Sequence, residues 1–179
     1  MARSLLPALL SAAELDALIL AYRNTEYWIN VGPDRHCIKV DGSPLPDALC
    51  ELLPWIVLTA DNPGSLIWSE DENRQRRRAL YQDIQTRALS GFTSRARACS
   101  QSPKSSKAPT WPDELGYLVC PLPVTEIATW CARYQQLAVI QGVQSSASCT
   151  AVITFWREHP RLSVAAQSLK LPHDCRWVG

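Results

Sequence analysis

The run Trp55-Ile56-Val57-Leu58-Thr59 is apolar up to its final residue and is the strongest constraint on the fold. An uninterrupted apolar stretch of this length reads as a central β-strand. It stops at Asn62-Pro63-Gly64, a turn by composition. Ser69 and Glu72 then carry the spacing of a capping box, in which a hydroxyl and a carboxylate each satisfy an orphan backbone N–H. A helix is therefore predicted from there to about Ala88, with Gly91 as its stop. A buried strand, a polar turn and a capped helix so close together form the kind of junction where α/β-type proteins place binding groups.

The flanking segments supply the rest of the sheet. Ser11 and Glu14 form an earlier capping box, and Leu15, Leu18, Ile19 and Tyr22 recur at helical spacing, so a helix is predicted over 12–24. Tyr27–Val31 and Cys37–Val40 read as strands joined through Gly32-Pro33-Asp34, and Pro46–Leu53 as a short helix. Gly116–Leu122, Leu137–Val143 and Cys149–Trp156 read as strands, with an amphipathic helix over Val124–Gln136. Residues 93–110 are rich in Ser, Lys, Arg and Pro and are expected to form a mobile basic loop. The order of elements predicts an α+β protein. A single domain over 1–156 would hold a mixed sheet of about six strands with helices mainly on one face. Residues 157–179 are expected to be a tail with one short helix near Val164–Leu169.

A net charge of +1 conceals a strong asymmetry. Residues 73–107 contain nine Lys and Arg against a single acid, Asp83, and so carry +8. A basic segment in a near-neutral chain points to an anionic partner, nucleic acid or an acidic protein surface. Its candidate contacts are Arg74, Arg77, Arg78, Arg95, Arg97, Lys104 and Lys107. Arg74, Arg77 and Arg78 are expected on the solvent side of the helix. The patch carries few interleaved rings, with Phe92 alone between Tyr81 and Trp111, which favours backbone contact over base stacking.

Seven cysteines without a Cys-x-x-Cys spacing fit a reducing, cytoplasmic setting. His173 and Cys175 have no second ligand pair, so no metal is expected. Arg3 and, after Ser4, the run Leu-Leu-Pro-Ala-Leu-Leu faintly resemble a signal peptide, but cleavage after Ala13 would remove the first cap. No apolar run approaches the ~20 residues of a membrane span. His36 and Cys37 are neighbours on a predicted strand, so their side chains point to opposite faces and do not form a dyad. No Gly-x-Ser-x-Gly, Walker loop, dinucleotide fingerprint or His-Glu-x-x-His is present, and no cofactor is expected.

Four distinct short motifs stand out along the chain. Ala21-Tyr22-Arg23-Asn24-Thr25-Glu26-Tyr27 comes first. Thr59, Ala60, Asn62, Pro63 and Ser65 follow, then Ser69, Asn73, Arg76 and Leu80, and finally Trp111, Pro112 and Glu114. In these residues the chain, from about 21 to 156, resembles the bacterial domain-of-unknown-function 3293 family. The chain departs from that family at Asp61, at Gly116 and at Tyr134-Gln135-Gln136. The resemblance implies a compact bacterial cytosolic protein and carries no established activity.

On a helix, Asn73, Arg76 and Leu80 share one face, with Leu80 toward the core. Asn62, Ser65, Asn73 and Arg76 are thereby candidates for a small polar pocket at the strand–helix junction, with Arg76 offering a fork to a carboxylate or phosphate. In the alternative, Asn62 caps its own turn while Asn73 and Arg76 pin that turn to the helix, with an ion pair to Asp61. Glu70, Asp71 and Glu72 fill the first helical turn and would repel an anion there. The leading expectation is a non-catalytic binding protein that engages an anionic partner through 73–107. A small-ligand protein or enzyme using the 59–76 pocket, and an accessory protein acting through a partner, are the alternatives.

Overall fold

A computed structural model describes residues 9–98, 112–146, 148–168 and 170–179. In chain order the elements are α1 (Ala12–Arg23), β1 (Thr25–Val31), β2 (Asp34–Ile38), α2 (Asp47–Cys50) and β3 (Ile56–Thr59). They continue with α3 (Glu70–Thr86), β4 (Ser90–Ala98), β5 (Glu114–Cys120), α4 (Val124–Tyr134), β6 (Ala138–Gln144), β7 (Cys149–Trp156), α5 (Val164–Gln167) and β8 (Cys175–Val178). The protein is α+β. One mixed sheet of eight strands, rather than about six, runs in the order β2-β1-β4-β5-β3-β6-β7-β8. Its neighbours are antiparallel except β7 and β8, which run parallel.

The apolar run at 55–59 lies inside the sheet, between β5 and β6. Its residues alternate between two cores, with Val57 in one and Ile56 and Leu58 in the other. The first core is closed by Leu15 and Ile19 of α1, Leu49 of α2 and Ala166 of α5. The second is closed by Leu80 and Ile84 of α3 and by Ile127, Trp130, Cys131 and Tyr134 of α4. Helices therefore cover both faces, not mainly one. A strand that is apolar on successive residues exposes both of its faces, and each needs a layer above it. Glycine is required at two places where the chain around β3 leaves no room for a side chain on the neighbouring strand. A Cβ at Gly142 would lie 2.3 Å from the Trp55 ring, and one at Gly116 would lie 2.3 Å from the Leu58 carbonyl oxygen.

Two expectations need correction. Residues 93–98 are the larger part of β4, not a loop, while the remainder of that predicted loop, with Lys104 and Lys107, lies outside the described residues. β4 alternates Phe92 and Ala96 toward the first core with Thr93, Arg95 and Arg97 toward solvent. Its small and charged residues carry the period of a strand without its usual apolar weight. Gly91 is likewise a strand residue. α3 ends at Thr86 with Arg87 as its C-cap, and Ala88, at φ 54°, turns the chain.

Residues 157–179 do more than trail. They supply α5 and also β8, which lies on the outer edge of β7. Asp174 accepts two hydrogen bonds from the Arg23 guanidinium, at 2.6 and 2.5 Å, and ties this segment to α1. No helix among the described residues is long and apolar enough to cross a membrane.

Candidate functional site

The turn after β3 has an unusual backbone for its residue types. Asn62 and Ser65 adopt φ of 47° and 56°, in the left-handed region, with Gly64 at 64° between them. Asparagine visits this region more readily than most L-residues because its short polar side chain bonds locally. Here its backbone N–H and both side-chain polar atoms are hydrogen-bonded. The Asn62 N–H donates to Asn73 Oδ1 at 2.9 Å, and Asn73 Nδ2 donates back to Asn62 Oδ1 at 3.1 Å. Trp68 N–H donates to the same Oδ1 at 3.0 Å, and Asn62 Nδ2 donates to Glu114 Oε1 at 3.0 Å. Both asparagines are buried.

Arg76 completes this arrangement. Its Nε donates to the Ala60 carbonyl and its Nη2 to the Tyr134 carbonyl, both at 2.7 Å. Burial lowers its pKa from the ordinary arginine value. Gln136 Nε2 donates to the Asp61 carbonyl at 2.9 Å, and Gly64 N–H to the Gln135 carbonyl at 2.7 Å. Arg161 donates to the Gly64 carbonyl from outside. Asn62, Asn73 and Arg76 thus come together as expected, and what they hold is the turn itself. Pinning of the turn to the helix is the arrangement observed.

The ion pair to Asp61 is made by Arg77, one residue beyond the expected partner. Arg77 Nη1 donates to both Asp61 carboxylate oxygens at 2.8 and 2.7 Å, and its other nitrogen reaches Glu70. Only 14% of the Arg77 side chain is exposed, so it is not the solvent-facing residue predicted. The helix rotation places Arg77 over the end of β3, where Asp61 waits, and charge pairing draws the fork inward. Burial works against the Arg77 charge, but Glu70 and Asp61 outweigh it and hold its pKa above the ordinary value. Burial raises the Asp61 pKa although the Leu115 N–H, at 3.1 Å, and Arg77 both favour its charge.

Beside this junction lies a cleft of about 400 Å³ between α3 and the sheet. α3 contributes Arg74, Arg77, Arg78, Tyr81 and Gln82, and Thr93, Leu115 and Tyr117 of β4 and β5 are part of its floor. Arg74 and Arg78 are exposed, as expected. Arg74 has only Asp71 nearby, at 3.7 Å, and Arg78 has no carboxylate partner among the described residues. Arg95 and Arg97 lie exposed on β4, outside the cleft, with Asp113 4.0 Å from Arg95. Ser65 lies on the turn, away from the cleft.

The two tyrosines are the residues that sequence reasoning missed. Tyr81 and Tyr117 stand with ring centroids 5.8 Å apart at 36°, and 47% of Tyr81 is exposed. Tyr81 carried a signal, since it lies seven residues after Arg74 and three after Arg78, on one helical face. Tyr117 carried none, because only strand pairing brings it there. Phe92, the ring counted in the segment, packs toward the first core.

Fold and cleft together define an α+β protein built on an eight-stranded mixed sheet, with arginines and tyrosines in an open groove beside its central helix. Residues 58–139 match the model of a family described as a protein of unknown function, DUF3293. Over that span the chain is similar to this family, and the motif residues Asn62, Asn73, Arg76 and Glu114 are members of the hydrogen-bonded junction. The Ala21–Tyr27 motif lies outside the match. No curated protein and no solved structure matches the chain.

Proposed function

We propose that this is a non-catalytic binding protein whose cleft between α3 and β4–β5 holds an anionic partner. The observation that carries the reading is Arg78, exposed on the cleft with no carboxylate within salt-bridge distance among the described residues. An uncompensated guanidinium beside a second exposed arginine offers forked donors to phosphate, sulfate or carboxylate groups. Tyr81 and Tyr117 add hydroxyls and ring surface at the same place. The junction at Asn62, Asn73 and Arg76 supports the cleft from behind, by fixing where α3 sits on β3.

The test is binding of fluorescein-labelled heparin, a polyanion without bases, followed by anisotropy across salt. Affinity should fall steeply as salt rises. Replacing Arg74 and Arg78 together by Ala should weaken binding by roughly tenfold or more, on the scale of charge-assisted hydrogen bonds, with the melting temperature unchanged. Unaltered binding by that double variant would remove the cleft from consideration.

A further inference from the structure

The side of the sheet that carries α3 continues past the cleft onto β4, β1 and β2. Tyr27 and Ile29 of β1 point into the first core, so strand alternation sends Trp28 and Asn30 to the other face. No helix covers them there among the described residues. Asn30, Thr93, Arg95 and Arg97 are exposed, and Trp28 is half-buried. Arg35 of β2 is exposed on the same face and lays its guanidinium over the Trp28 ring, 4.5 Å from the centroid.

Strand register joins this surface to the cleft. Trp28 is the cross-strand partner of Arg95, and Arg95 is the partner of Leu115, which lies in the cleft floor. Two strand spacings of ~4.8 Å put Trp28 roughly 10 Å from that floor. Asn30 Nδ2 donates to Thr93 Oγ1 at 2.9 Å and bridges the same gap one row along. Charge on the face is one-sided. Its carboxylates, Glu26 and Asp113, lie 3.4 Å from Lys39 and 4.0 Å from Arg95. Arg35 and Arg78 make no ion pair among the described residues, and Arg97 makes none either, although the register sets Glu26 across from it.

We infer that this face binds single-stranded nucleic acid, with an unpaired base completing the stack that Arg35 begins over Trp28 and with Arg78, Arg95 and Arg97 meeting phosphates on either side. Guanidinium planes and tryptophan rings are both stacking surfaces for splayed bases, whereas a duplex buries the ring faces of its bases. An acidic protein would use the arginines and leave the Trp28 stack without a role. The inference rests on the cleft reading above and extends it by a second element and a partner class.

Three probes separate the outcomes: a short labelled oligouridylate, the same strand paired with oligoadenylate, and labelled heparin. The single strand should bind more tightly than the duplex. Trp28→Ala should weaken oligouridylate binding about 5- to 100-fold, the range for loss of one base–aromatic stack, and leave heparin binding unchanged. Trp28→Phe should recover most of the loss, which separates stacking from a folding defect. Arg95→Ala, at an exposed position, should lower the salt slope for the single strand by about one. If Trp28→Ala binds oligouridylate as the parent does, or the duplex binds as tightly as the single strand, the inference is overturned. Heparin binding without oligouridylate binding also overturns it, keeps the cleft reading and points to an acidic protein surface. Failure of both at low salt removes the two readings together.

Discussion

Replacing Asn73 by Ala tests the junction most directly. Asn73 is 6% exposed and makes a reciprocal pair with Asn62 at 2.9 and 3.1 Å. The truncation leaves the Asn62 N–H without an acceptor in a buried turn, a penalty of about 1–3 kcal/mol, and removes a hydrogen bond worth about 1 kcal/mol net. The sum, roughly 2–4 kcal/mol, corresponds to a drop in melting temperature of roughly 5–15 °C for a chain of this size. Asn73→Asp sharpens the test. The carboxylate keeps an acceptor for the Asn62 N–H but sets a second oxygen against Asn62 Oδ1, where Asn73 Nδ2 now donates. The folded state then favours the protonated acid, so its pKa rises above the ordinary ~4. Stability of that variant is therefore greatest below this value and is lost as pH rises through the raised one. Urea unfolding at two or three pH values measures both effects. A loss under about 0.5 kcal/mol for Asn73→Ala, or a pH trend of the opposite sign for Asn73→Asp, refutes the reasoning.

Asp61 and Asp174 should respond to pH in opposite senses. Burial raises the Asp61 pKa, so its contribution is present below the ordinary carboxylate pKa and declines as pH rises through the folded value. The hydrogen bonds from Arg23 lower the Asp174 pKa, so its contribution is present above the ordinary pKa and is lost as pH falls through the depressed value. Asp174→Ala should therefore narrow its stability deficit on acidification, as read by urea midpoints at pH 7 and pH 3, and a constant deficit would contradict the assignment. Asp61→Ala should cost about 1–3 kcal/mol, since it leaves the Leu115 N–H without its acceptor while Arg77 keeps Glu70, and Asp61→Asn, which keeps an acceptor for Leu115 N–H, should cost less. Equal losses in the two variants, measured by the same midpoints, would show that the backbone contact at Leu115 does not matter.

Local chemistry determined more of this protein than its function. Both capping boxes, at Ser11–Glu14 and Ser69–Glu72, form as their spacing required, because a cap is settled within one helical turn. The apolar run at 55–59 was legible as an interior strand, because it is short, rich in β-branched residues and bounded by Pro54 and the Asn62-Pro63-Gly64 turn, which leaves no room for a buried helix. The meeting of Asn62, Asn73 and Arg76 was also legible, because helix geometry places positions 73 and 76 toward the preceding turn. Tertiary structure decided the rest. β4 was hidden because its alternation is written in Ser, Thr, Ala and Arg, and only pairing with β1 and β5 makes that pattern a strand. β8 is short, and it exists because β7 offers an open edge. Whether Arg77 faced solvent or Asp61 depended on a carboxylate sixteen residues away in sequence. Tyr117 meets Tyr81, and Trp28 lies in register with Arg95, through strand pairing, which no local period encodes.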